Sequence, residues 1–401
     1  MKTLQRIAVA GLLAAFAVTG FAQQQPLHLF NRLRVGYDDN IYNSASGDEK
    51  GSLRLVEEVE IKLNLALERL YVGIDYRPSL LWIPERESDE TDFLHDLTAA
   101  MSYSITPQLV FSFKDSLRAS QLPELENEGY RVRADDDNFS NTALATLAYN
   151  ILPQTRIDLS GRYSILEYDE DAHDYDNYRL AVGGLSLRQQ LASHTTVFGD
   201  FRYSALEYPD APKDESRDSD SIYGGLGLEQ TFSQVLVGSL RGGVQHRKYD
   251  NDDKFDDNTK PYVDASVTLM PSPSTRFTLS GGYSISESDI SAYASEDRYT
   301  VALNFAHDFT DNLTLYANGS MALAKYDADY AYEDAENHYG DDDETSYTAG
   351  ARLSYRVFRT SGLGNNWIEL GYTFTKLDSE VYGQTDYDRN RVDLGWKIQL
   401  F

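Results

Sequence analysis

Cysteine is missing from this 401-residue sequence. Disulfide staples, a thiol nucleophile and a lipoprotein anchor are therefore excluded. Past residue 22 no stretch of eighteen consecutive apolar side chains occurs, so no segment of the mature chain can cross a bilayer as a helix. Cations are scarce beside acids: 36 Lys and Arg against 64 Asp and Glu, a formal net charge of −28. Such a charge disfavours nucleic acid as a partner. Catalytic signatures are absent too. There is no Gly-x-Ser-x-Gly elbow, and His28, His95, His173, His194, His246, His307 and His338 are scattered along the chain. The densest acidic cluster, Asp250, Asp252, Asp253, Asp256 and Asp257, lacks the Gly and terminal Glu of an EF-hand loop. Nothing in the sequence points to an enzyme or a cofactor; the acidic runs read first as a solvated surface, with Ca²⁺ or Mg²⁺ binding at the cell surface as the alternative.

What is present begins with a secretory leader. Lys2 and Arg6 precede an apolar stretch from Ile7 to Val18, too short for a span, and Gly20-Phe21-Ala22 puts small residues at −3 and −1 of a cleavage site before Gln23. Residues 1–22 are thus expected to be removed, leaving 23–401 as one domain. Losing Lys2 and Arg6 takes the charge from −28 to −28 − 2 = −30.

A hairpin-length unit then recurs. Gly161-Arg162-Tyr163-Ser164-Ile165-Leu166-Glu167-Tyr168 is echoed by Phe201-Arg202-Tyr203-Ser204-Ala205-Leu206-Glu207-Tyr208 and by Gly282-Tyr283-Ser284-Ile285. The equivalent positions Tyr163, Tyr203, Val244, Tyr283 and Met321 lie 40, 41, 39 and 38 residues apart. A fixed period marks a repeated structural unit, here two alternating strands with one tight turn and one acidic loop. Tight turns are expected near 66–69, 106–108, 153–155, 192–194, 233–234, 271–274, 308–312 and 359–366. Long loops are expected near 38–51, 84–92, 120–140, 169–176, 209–220, 250–258, 287–297, 327–345 and 378–388. Nine long and eight short connections make eighteen strands. The expected fold is an all-β, transmembrane, up-and-down antiparallel barrel of sixteen to eighteen strands.

Eighteen strands in one ring enclose a space too wide for side chains to fill, so the apolar parity must face lipid and the polar parity a wetted lumen. Tyrosine supports this: the 29 Tyr suit interfacial girdles. The inward parity is rich in cations: Arg32, Arg34, Arg54, Lys62, Arg77, Arg118, Arg162, Arg179, Arg202, Arg241, Arg247, Lys260, Arg276, Arg298, Arg352, Arg391 and Lys397. Such a wall suits carboxylates, sulfates and sugar hydroxyls, and equally braces a large barrel. Three irregularities stand out. Glu57 and His95 fall on the lipid parity, and Gly183-Gly184 is expected to disturb its strand, leaving Leu185 and Leu187 on the wrong side.

The last strand resembles the assembly signal of outer-membrane barrels, with Asp393, Gly395, Ile398 and Leu400 in the signal positions and Phe401 as terminal aromatic. Leu33-Arg34-Val35-Gly36-Tyr37-Asp38-Asp39-Asn40-Ile41-Tyr42, with the Arg-Tyr-Ser and Glu-Tyr-Asp strand ends, resembles the putative β-barrel porin 2 family, which includes proteins of exopolysaccharide operons. The resemblance implies the outer membrane of a Gram-negative bacterium. It also implies dealings with the barrel-assembly machinery and, in some members, outward passage of polysaccharide with a periplasmic export partner. Three functions follow as expectations: a channel assisting polysaccharide export, a general or solute-selective porin, and a non-conducting adhesive barrel. An infolded loop narrowing the pore favours the porin, with the loop 120–140 as the candidate.

Overall fold

The structure, a computed structural model, describes residues 26–87, 90–120, 124–127, 130–132, 137–169, 171–212, 216–251, 254–290, 292–327, 340–357 and 364–400. The leader at 1–22 and the terminal Phe401 lie outside the described residues. In chain order the strands are β1 (Leu27–Asp38), β2 (Ser52–Ala66), β3 (Leu70–Trp82), β4 (Thr91–Ser104), β5 (Leu109–Ser120), β6 (Glu124–Asn127), β7 (Tyr130–Val132), β8 (Asn138–Leu152), β9 (Thr155–Tyr168) and β10 (Tyr178–Ala192). They continue with β11 (Thr195–Glu207), β12 (Ser219–Ser233), β13 (Leu236–Tyr249), β14 (Asn258–Ser272), β15 (Thr275–Glu287), β16 (Ser295–Thr310), β17 (Leu313–Tyr326), β18 (Asp342–Arg356), β19 (Asn366–Ser379) and β20 (Tyr387–Gln399). The short β6 and β7 pair only with each other, and the other eighteen form one antiparallel sheet that closes on itself where β1 meets β20. The connections alternate short and long at the expected places.

The parity of the strands sorts by chemistry. Tyr163, Tyr203, Val244 and Met321, the repeat positions, are all exposed on the outer wall, as are Leu159, Leu226, Leu240, Val301 and Trp396. Their neighbours Arg162, Arg202 and Arg241 line lumenal cavities. The repeat is therefore one upward strand and one downward strand turned around the barrel axis, with the same residue reaching lipid each time.

Gly183-Gly184 does not disturb its strand. The register of β10 with β9 runs unbroken from Tyr178 to Gln189, and Leu185 and Leu187 are exposed beside Phe201. The correction falls on Arg179 instead. It shares the parity of Leu185, opposite Glu207 at the strand end, whereas Leu180 and Val182 line the lumen. At Glu57 and His95 the ladders are equally regular, so no bulge excuses these residues. Each has a local partner: Asn31 donates to the Glu57 carboxylate, and Tyr76 Oη lies 2.9 Å from His95 Nδ1. A third outward pair, Asn141 donating to Asp115 at 2.7 Å, is not visible in strand periodicity alone because the partners sit on β5 and β8. Pairing lowers the cost of a polar group at a lipid-facing site.

Closure depends on the segment that carries the family resemblance. Val35 stands opposite Leu394 and Gly36 opposite Asp393, which zips β1 to β20. At the outer end Asp38, fully buried, receives Arg389 at 2.6 Å, while Asp39 accepts from the backbone and side chain of Asn390 at 2.6 and 2.8 Å. Asn40 ties the following loop to the carbonyls of Ser44 and Asp388 at 2.8 and 3.0 Å, and Ile41 packs on Val56, Leu81 and Ile83. Removing the Asp38 carboxylate would leave Arg389 buried without its counter-charge, a loss of about 3–5 kcal/mol. Asp38→Ala should therefore lower the denaturant midpoint of the refolded barrel, and adding Arg389→Met should restore part of it; a midpoint equal to wild type would contradict the role.

Candidate functional site

The lumenal wall has two different sides. On the first, Arg34, Arg54, Arg77, Arg118, Arg352 and Arg391 share one cavity with Glu58, Asp96 and Asp393. Six guanidiniums against three carboxylates leave an excess of three positive charges (6 − 3 = 3). Some of these cations are braced: Arg34 reaches Glu58 at 3.1 Å, and Arg77 reaches Asp96 at 3.1 Å. Arg54 and Arg352 enter no ion pair among the described residues. Nearby, Arg32 lies between Glu58 (2.6 Å) and Glu369 (3.0 Å), and Glu60 holds both Lys62 (2.7 Å) and Lys397 (2.5 Å). The alternation of cation and anion on neighbouring strands follows from strand register, with Arg32 directly opposite Glu58.

The second side is aromatic. Arg118, Arg162, Arg202 and Arg241 line another cavity with Tyr223 and Tyr262. The Arg202 guanidinium sits 4.6 Å above the Tyr223 ring and 5.1 Å from that of Tyr262, and is held by Asp200 at 3.2 Å. Arg241 lies 5.8 Å from the Tyr262 ring and pairs with Asp264 at 2.5 Å. Glycine makes the space. A Cβ on Gly225 would meet Tyr262 Oη at 2.2 Å, and one on Gly243 would meet the Gly224 carbonyl at 2.1 Å. The remaining wall cations lie apart from both groups. Arg276 is near the short-turn end opposite Ala306, and Arg298 is buried 2.7 Å from Glu296.

At the outer mouth the sheet overlaps itself. The β14–β15 ladder stops at Val263 opposite Tyr283, although β15 runs on in register with β16 as far as Glu287 opposite Ser295. Beyond that point, groups on the outward parity of β15 and β16 meet groups on the inward parity of β13 and β14. Gln245 donates to the Ile285 carbonyl at 3.3 Å. Arg247 donates to the Ser286 carbonyl at 3.3 Å and to the Glu287 carboxylate at 3.1 Å. Lys260 reaches Asp297 at 2.7 Å. Ile285 is consequently 3% exposed, whereas Val244 on the same outward parity is 52% exposed. The end of β15 thus passes inside the wall, as the edge of a scroll does.

The segment beyond β15 continues inward. Arg217 donates to the Ser288 carbonyl at 3.1 Å and stacks 4.2 Å from the Tyr208 ring, whose burial pushes its hydroxyl well above the usual tyrosine range. Ile290 and Tyr293 pack with Ala324 and Tyr326, and Ala294 packs with Tyr249 and Phe255. Tyr326 donates to Asp289 at 3.1 Å and Tyr293 to Asp342 at 2.8 Å. Ser284, Ser286 and Glu287 reach the cavity that Arg118, Ser120 and Asn138 line. This infolded segment differs from the expected loop 120–140, much of which lies outside the described residues. One sequence signal could have found it: Ile290, Ala292, Tyr293 and Ala294 make an apolar cluster in an outer loop whose other residues are Ser, Asp and Glu.

The positions expected to form an assembly signal lie on the closing strand and, for Leu400, just past it. Asp393 faces the lumen, Leu400 is exposed, and Ile398 is buried opposite Asn31 and Asn366. Gly395 pairs with Arg34 and Glu369.

Filling the glycine floor is the direct test of the aromatic side. Gly243→Val forces its side chain into the Gly224 carbonyl, an overpacking cost of about 1–3 kcal/mol or more. The heat-modifiable, folded form should decline on a detergent gel, and an unchanged folded fraction would contradict the close approach.

A family model described as putative beta-barrel porin 2 matches residues 184–400. Among curated proteins no match is found. The backbone is similar to that of Pseudomonas aeruginosa OccK2 (OpdF), at 9% identity and TM-score 0.49 over 95% of this chain and 100% of that one. It is also similar to Acinetobacter baumannii OccAB4, at 12% identity and TM-score 0.46 over 94% of this chain and 99% of that one. Pseudomonas aeruginosa OpdK, crystallised with vanillate, is similar at 10% identity and TM-score 0.45, over 93% of this chain and 98% of that one.

Proposed function

The chain belongs to the putative beta-barrel porin 2 family, and from that premise we propose that it is a diffusion channel of the Gram-negative outer membrane preferring small anionic solutes. The observation that carries this reading is the cavity where six guanidiniums face three carboxylates. A local excess of positive charge in a water-filled, low-dielectric enclosure raises the concentration of anions there and lowers their barrier to passage. The acidic outer loops act in the opposite sense at the mouth. However, exposed charges are screened by salt over about 8–10 Å, so the enclosed cations dominate the path.

The infolded end of β15–β16 brings Ser284, Ser286 and Glu287 to the lumenal cavity and takes up space there, which supports small solutes over polymer. Much of the remaining arginine is bound to lumenal acids and braces the wall. Export of an anionic polysaccharide is the second reading, supported by the Arg-rich inner parity and the long outer loops. On either reading, the strand ending Asp393, Gly395, Ile398 and Leu400 is the part the barrel-assembly machinery would handle.

In planar bilayers under a salt gradient, the purified protein should show a reversal potential of anion-selective sign. Arg54→Gln with Arg352→Gln, which removes two cations of that cavity that enter no ion pair among the described residues, should lower the anion-to-cation permeability ratio at least about twofold. Cation selectivity in the wild type would overturn the proposal. Block by added anionic polysaccharide, with no effect of small carboxylates, would favour export, and absence of any current would favour an adhesive barrel.

A further inference from the structure

The overlap between β14 and β15 has a second possible arrangement written into its register. Continuing the ladder from Val263 opposite Tyr283 would place Tyr262 opposite Ser284, Pro261 opposite Ile285, Lys260 opposite Ser286 and Thr259 opposite Glu287. None of these pairs is formed, although both strands extend that far. We propose that the outer end of β15–β16 is a movable flap with two seats, one tucked inside the wall as seen here and one zipped to the edge of β14.

Three features support two seats of similar free energy. First, the tucked seat is held by side chains instead of a backbone ladder: Gln245 and Arg247 bond the Ile285 and Ser286 carbonyls, and Glu287–Arg247 and Lys260–Asp297 add charge. The zipped seat would exchange these for ladder bonds from β14 wherever that strand offers an N–H. Second, Pro261 has no N–H, so it can add no donor to a completed sheet, and the longer ladder is weakened at that point. Third, the break begins immediately beyond the outward pair Tyr283–Tyr299, whose tilted rings have centroids 4.6 Å apart. Aromatic residues of this kind mark the membrane interface. The exchange would therefore occur where water can solvate backbone groups, rather than in hydrocarbon where an open edge is forbidden.

The flap bears on passage. In its tucked seat it brings Ser284, Ser286 and Glu287 to the cavity shared with Arg118 and Asn138. Moving to the wall would withdraw these groups and widen the mouth. That consequence rests on the channel reading, whereas the motion itself does not.

The test uses the absence of native cysteine, which makes any introduced thiol unique. Ile285→Cys would be shielded in the tucked seat and would face outward in the zipped one. Its labelling by a membrane-impermeant maleimide should accelerate at least about tenfold when Arg247→Gln and Lys260→Gln loosen the tucked seat. Separately, Thr259→Cys with Glu287→Cys should close a disulfide under mild oxidation, since directly opposed strand residues lie within reach of such a bond. Folded, heat-modifiable mobility is checked for each variant, and if the loosened variant fails to fold, the cysteine pair decides alone. Equal labelling rates with and without the loosening changes, or a cysteine pair that never closes in folded protein, would overturn the flap. A current unaffected by trapping the disulfide would overturn gating while leaving the motion standing. A flap that moves in a barrel passing no current at all would count against the channel alone.

Discussion

Every backbone N–H and C=O that enters hydrocarbon must find a partner within the protein, and in an antiparallel sheet that demand is met only by closing the ring. Here closure is the β1–β20 ladder. Its outer end is secured by buried charge, with Asp38 clamped by Arg389 and Asp39 by Asn390. The two ends of the described chain, more than three hundred residues apart in sequence, become neighbours through these contacts. Everything else in the structure assumes that ring: the outward apolar face, the wetted interior and the overlap at the mouth.

An enclosed polar interior must also manage its own charge. Desolvating a guanidinium costs several kcal/mol unless a counter-charge is supplied, and the sequence places acids at register positions that meet this need, as with Arg32 and Glu58 or Arg241 and Asp264. Where this matching is incomplete, around Arg54 and Arg352, a net positive region is left facing the lumen. The same logic extends to the mouth, where the ladder is given up only beyond the Tyr283–Tyr299 pair and side chains of β13 and β14 take over as partners. Structural bracing and functional charge are thus two outcomes of one rule, decided by whether a given cation meets an acid across the strands.

Strand number, the order of turns and loops and the two-faced pattern could be read from the sequence because a period of two residues and a repeat of about forty are local properties. Tyr163, Tyr203, Val244 and Met321 recur in the sequence for the same reason that they reach lipid. What could not be read depends on contacts between strands. Asp115 breaks the pattern of β5, and its Asn141 partner is supplied from β8. Leu185 looks misplaced only when parity is counted from Arg179, which sits at a strand end where either side reaches water. The infolded segment escaped because tucking β15 beneath β13 reverses the usual meaning of outward parity: Ile285 and Glu287 follow the lipid-facing phase yet meet the inner wall. In the candidate site, the cations were legible individually, but their division into braced and unbraced groups required the register.

The central claim is a ring closed between the first and last strands, and it can be read from one covalent bond. Val35 and Leu394 lie directly opposite each other across that closure, on the outward face. In the folded protein, Val35→Cys with Leu394→Cys should form a disulfide on oxidation, seen as a reductant-sensitive change in mobility of the denatured chain. Failure of the pair to link in folded protein, while Val35→Cys instead links to a cysteine on a strand other than β2 or β20, would contradict the closed eighteen-stranded barrel.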